Sequence, residues 1–164
     1  MSENNKHTAL IPSKNIADEA GKRNAPKSAR KGEPLLHMTE DMRRLSTPWA
    51  ISMARAKQIE ASDLPAGVIL DAAAGSGAQL IALATELKRP ALGIELDGNI
   101  AVLCAANMHI ASDGDQIQRT LDRVIIGDGS DAEGAITAYW NSLRKSGTRA
   151  HPPIAMLHLD PARP

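Results

Sequence analysis

Phenylalanine is absent from this chain, and two tryptophans and one tyrosine bring the aromatic share to only 2%. Base stacking on aromatic faces therefore has few platforms here. A single cysteine, Cys104, excludes an internal disulfide and a cysteine-built metal site. No apolar run approaches the roughly 20 residues that span a bilayer. The opening MSENNKHTAL has neither the charged start nor the apolar middle of a signal peptide. The chain reads as cytoplasmic, with no membrane partner. Net charge is missing too, since 19 Lys and Arg balance 19 Asp and Glu.

What is present is the composition of a folded domain. With 164 residues, 43% of them hydrophobic and 23% charged, the chain suits one core rather than two. The zero net charge is unevenly spread: residues 1–37 carry seven Lys or Arg against four acids, a balance of +3, which leaves −3 for the remainder. The segment GKRNAPKSARKGEP has almost nothing large and apolar to bury, so residues 1–37 are expected to form a flexible basic tail and residues 38–164 the folded domain. A nucleic-acid-binding arm and a solvated leader fit that charge pattern equally.

From residue 38 onward, helical and strand-like segments alternate. Thr47 before Pro48 reads as the N-cap of a helix over 48–61. AGVIL then reads as a buried strand ending at Asp71, and SGAQLIALATEL as a helix stopped by Pro90. The strand ALGIEL, the helix GNIAVLCAANMHIA, the strand RVIIG, a helix across DAEGAITAYWNSLRK and the strand IAMLHLD follow. Strands separated by helices pair in parallel, and right-handed crossovers bring their carboxyl ends to one edge, where such sheets bind ligands.

The sequence places an acid at or just past each of those four ends: Asp71, Glu95, Asp128 and Asp160. After Asp71, Gly75 and Gly77 allow a tight turn and close approach to a ligand, and the next helix offers its N-terminal amides. Glu95 stands 20 residues beyond Gly75, the separation at which an acid leaving the second strand accepts from both hydroxyls of a ribose. A nucleoside is implied. The dinucleotide fingerprint G-x-G-x-x-G needs a glycine at the last position of GSGAQL, where Leu80 stands. A carboxylate directly before the loop repels phosphate but accepts from an ammonium group, which suits S-adenosylmethionine better than a pyrophosphate.

In order and spacing these segments resemble class I S-adenosylmethionine-dependent methyltransferases over about residues 46–164. VILDAAAGSGA is similar to the family's first motif, with Asp71, Gly75 and Gly77 in place and Ala73 where many members have a first glycine. LGIELD resembles the second, which implies Glu95 on the ribose hydroxyls and Asp97 nearby. VIIGDGSD resembles the third, implying Asp128 near the adenine amine. LHLDPARP resembles the fourth, implying that Asp160 and Pro161 face the substrate. The resemblance implies a Rossmann-like, doubly wound parallel sheet, of which only the first four strands are present. Its fourth strand is interior, so the chain is expected to be truncated at its C-terminus.

STPWAISMARAKQI, the loop without a first glycine, and Asp-Pro-Ala-Arg at the fourth strand together resemble RNA-modifying members of the trimethylguanosine synthase group and its prokaryotic relatives. The resemblance implies RNA as partner and methyl transfer to an exocyclic amine of a base. Asp160 and the Pro161 carbonyl would accept the amine hydrogens, and Arg163 would hold a phosphate or a base edge. Ala162 and Arg163 stand where amino-group methyltransferases of nucleic acids usually have a second proline and then an aromatic, so the residue that stacks on the base is missing at that place. Trp49 either lines the substrate entrance or packs. Cys104 reads as a small core residue, and Tyr139 and Trp140 as cover for helix and sheet surfaces. His109 and His158 have no ligand-spaced neighbours, so no metal is expected. Two other classes stay open: a methyltransferase of small molecules or protein side chains, and, more remotely, a nucleotide-binding oxidoreductase of the NAD type or an inactive binding module.

Overall fold

The computed structural model describes residues 6–60, 64–111 and 119–160. Its centre is β4 (Val68–Asp71), buried at all four positions as the VILD run predicts for a strand covered on both faces. Around it a five-stranded sheet runs β1-β6-β5-β4-β7, with β1 (Thr8–Leu10), β5 (Ala91–Glu95), β6 (Arg123–Ile126) and β7 (Ile154–His158). Every pairing is parallel except that of β1 with β6. The fold is α/β with a mostly parallel sheet. From β4 the chain steps outward through β5 to β6, then returns to place β7 on the other side of β4. The order therefore reverses beside β4, where open sheets of this kind leave a crevice at their carboxyl edge.

Alternation along the strands supplies two faces. Ile69, Ala91 and Val124 meet α3 (Trp49–Glu60), α4 (Ala78–Leu87) and α5 (Gly98–Ile110) through Ala56, Leu80, Leu83, Cys104 and Met108. Val68, Leu70, Leu92, Ile94 and Ile125 face α6 (Ala132–Lys145) through Ala135, Tyr139 and Leu143. The Tyr139 hydroxyl donates to the Leu121 carbonyl at 2.7 Å, so the large ring is buried without a stranded polar atom. Arg123, 2% exposed, donates to the hydroxyls of Ser142 and Ser146 and to the carbonyls of Thr120 and Asp122. Among the described residues, no helix is long and apolar enough to cross a membrane.

The expected flexible tail over residues 1–37 is not what residues 6–37 form. Besides β1, they build α1 (Lys14–Arg23) and a two-stranded hairpin of β2 (Lys27–Ser28) and β3 (Leu35–Leu36). Composition misleads here because a small apolar stripe suffices when a partner face is waiting. Ala20 of α1 is buried with Leu103 and Ala106 of α5, and Ile16 and Ala17 pack beside them. Ser13 caps the helix by accepting from the Ile16 amide, and the pairs Lys14–Asp18 and Lys22–Glu19 use part of the basic charge along its own length. A short α2 (Glu40–Leu45), capped by Thr39, also precedes α3.

The start of α3 differs in detail. The Thr47 cap is replaced by Glu33, whose Oε1 accepts from the Trp49 amide at 3.0 Å, and Pro48 precedes the helix, its carbonyl taking bonds from Ile51 and Ser52. Ala61 lies outside the described residues.

Candidate functional site

The turn between β4 and α4 is held by its own acids. Asp71, 3% exposed, accepts the Ala73 amide at Oδ1 (3.0 Å), and its Oδ2 accepts from Nδ1 of His158 at the end of β7 (3.1 Å). Gly75 and Gly77 adopt left-handed backbone, φ 54° and 80°, which a side chain would strain. They differ in surroundings. A Cβ at Gly75 would face open space, whereas one at Gly77 would lie 2.7 Å from Sγ of Cys104. Gly75 therefore leaves room over the turn, and Gly77 lets α4 close on α5. Cys104 is fully buried, as expected, and burial pushes its thiol well above the ordinary range.

Glu95 reaches into this turn from the end of β5. Its Oε2 accepts the Gly75 amide at 2.9 Å and its Oε1 the Asp97 amide at 3.1 Å. A carboxylate offers about four acceptor positions, so further donors can be received without breaking either bond. Asp97 caps α5 by accepting from the amides of Asn99 (2.8 Å) and Ile100 (3.3 Å). By contrast, α4 begins at Gly77 with no side-chain cap, leaving its first amides open to an anionic group.

The remaining candidates stand further out. Asp128 is exposed, and its Oδ1 accepts from both the amide and the hydroxyl of Ser130, which hold its carboxyl below the usual range. Its loop still touches the turn, because a Cβ at Gly129 would collide with the Ala72 carbonyl. Asp160, also exposed, accepts at Oδ2 from Nε2 of Gln79 at 2.8 Å. Trp49 packs against the α3–α4–α5 core, the packing alternative of the two sequence readings. Pro161 and Arg163 lie outside the described residues. Asp71, Ala73, Gly75, Gly77 and Glu95 thus meet in one turn, Asp97 and Asp128 flank it, and Asp160 is tied to the start of α4 through Gln79.

Three participants escape sequence reasoning. His158 shares Asp71, and that hydrogen bond raises its pKa against the opposing effects of burial and Arg55. Asn107, fully buried in α5, donates to the carbonyls of Ser76 (2.8 Å) and His37 (2.9 Å) and accepts the His37 amide (2.6 Å). The glycine turn and the residues after β3 are thereby gripped by one amide. Gln79 accepts from Nη1 of Arg55 at 3.2 Å while donating to Asp160. The signals available were a histidine two places before Asp160, an Asn in the middle of an apolar stretch of helix, and a Gln two places after the glycine turn. Comparison with protein-family models, curated proteins and solved structures finds no match to this chain.

Proposed function

We propose that this chain is a methyltransferase of the Rossmann-like class I type that binds S-adenosylmethionine at the carboxyl edge of its sheet and acts on an exocyclic amine of a base in RNA. The observation that carries the reading is the meeting of Glu95 with the Gly75 amide beside β4, where the strand order reverses. Glu95 keeps that amide and has acceptor capacity left for the two ribose hydroxyls. Open space over Gly75 and the uncapped amides of α4 suit the cofactor's carboxylate end. Asp71 contributes through the turn it holds. When bound, the cofactor supplies an electrophilic methyl group.

Asp160, anchored by Gln79, accepts hydrogens of the acceptor amine and aims its lone pair, so that positioning supplies much of the acceleration. A dinucleotide reading is disfavoured at Leu80. That side chain is wholly buried, and its Cδ2 is 3.4 Å from where a Cβ on Gly93 would lie, so it fills the helix–strand contact that a third glycine would leave empty.

The test is calorimetric titration of S-adenosylhomocysteine into the wild-type chain and the Glu95→Ala variant. Wild-type binding is expected, with a loss of about tenfold or more in the variant, since each charge-assisted bond is worth about 1.5–3 kcal/mol. Asp160→Ala should keep cofactor binding and lose methyl transfer to RNA. A wild-type chain that ignores S-adenosylhomocysteine but enhances NADH fluorescence would overturn the reading.

A further inference from the structure

A cavity of about 250 Å³ opens between α3, α4 and the end of β7, separate from the glycine turn. Among the described residues its ionisable lining consists of Arg55 and His158, with no carboxylate in it. Ser52, Gln58 and Gln79 add a hydroxyl and two amides, and Leu83 provides an apolar wall. Arg55 is exposed and has no carboxylate partner among the described residues; its one hydrogen bond there is to Gln79, which leaves most of the guanidinium fork free. His158 spends Nδ1 on Asp71, and its Nε2 has no partner among the described residues. The carboxylates nearby are already engaged, Asp71 by His158 and Asp160 by Gln79. Such a lining favours an anion with several acceptor oxygens, which a planar guanidinium grips in bidentate fashion.

We infer that this cavity is a phosphate subsite, in which Arg55 holds a phosphate group of a nucleotide and His158 donates to it from Nε2. The inference rests on the proposed reading and deepens it: through Gln79 the subsite is one side chain away from Asp160, so a phosphate seated on Arg55 would deliver its nucleotide to the residue that faces the acceptor. The phosphate belongs either to an RNA backbone or to a free nucleotide. Donation from Nε2 requires the imidazolium, because Nδ1 already gives its hydrogen to Asp71. Binding is therefore tighter at lower pH. The charged groups around His158 are Asp71 of β4, Asp160 beyond β7 and Arg55 of α3, the two acids favouring the imidazolium and Arg55 opposing it.

The test uses a short fluorescein-labelled oligouridylate, whose phosphodiesters do not titrate near neutrality, followed by anisotropy across salt and pH. Arg55→Gln, an exposed change that spares the core, should weaken binding about tenfold and lower the magnitude of the log–log salt slope by about 0.7, the value of one single-strand phosphate contact. His158→Gln should abolish the tightening at low pH. Displacement of the oligouridylate by uridine 5′-monophosphate, with the same dependence on Arg55, identifies a free nucleotide as the source; displacement by longer oligouridylate alone identifies the RNA backbone. Unchanged affinity and slope in Arg55→Gln would overturn the subsite. S-adenosylhomocysteine titration of the same proteins separates the two ideas. Cofactor binding without an Arg55 effect sinks only the subsite, and an Arg55 effect without cofactor binding sinks only the methyltransferase reading.

Discussion

Asp122 lies just before β6, 2% exposed, where its Oδ1 accepts the Ala91 amide at 2.8 Å. Burial pushes its carboxyl up from 3.8 to about 6, against the pull of that bond and of Arg119. Between those values the folded chain keeps a proton the unfolded chain has lost, so stability falls as pH rises through this window. His158 acts with the same sign higher up. Its pKa is raised above 6.5, so its contribution is complete below 6.5 and is lost as pH climbs through the elevated folded value. Urea midpoints measured against pH should therefore decline in both windows, with Asp122→Asn flattening the lower decline and His158→Gln the upper. Gly129→Ala should cost on the order of 1–3 kcal/mol by forcing the Ala72 carbonyl aside, read as a lowered Tm. Asp71, Gly75, Gly77 and Glu95 were legible in the sequence because their spacing along two adjacent strand–turn units encodes the site. His158, Gln79 and Asn107 were not, because their partners are 87, 81 and 70 positions away.

Among the elements, α5 links the N-terminal segment to the glycine turn. Its outer face receives α1, and its buried Asn107 ties His37 to Ser76. Asn107→Ala would strand one buried donor and two buried acceptors, with an expected loss of about 2–4 kcal/mol. Hydrogen exchange should then quicken together at residues 36–38 and 74–77 while β6 stays protected. The helices α4 and α5 were legible because a glycine turn precedes the one and the acid Asp97 caps the other. The first three strands and α1 were not. Three- and two-residue strands carry no periodicity, and α1 buries only a narrow stripe whose worth depends on the presence of α5.

For the whole molecule, the parallel pairing of β4, β5, β6 and β7 was readable from the alternation of strands and helices, whereas their spatial order, β6-β5-β4-β7, was not. The strand β1 is the exception, an antiparallel cover on an edge that β6 would otherwise leave open. His7 anchors its start, donating from Nε2 to Oδ2 of Asp131 at 2.8 Å and thereby holding that acid below its usual range. Removing residues 1–11 should lower the Tm and produce concentration-dependent association, seen as growth in scattering at temperatures where the full chain stays dispersed. The pairing of Thr8 with Ile126 also sets an order of events during synthesis. At ribosomal speeds of about 5–20 residues per second, the first strand emerges on the order of ten seconds before its partner. Through that interval it is an unclaimed segment within reach of chaperones, and the β6 edge is covered only when Thr8 meets a residue translated 118 positions later.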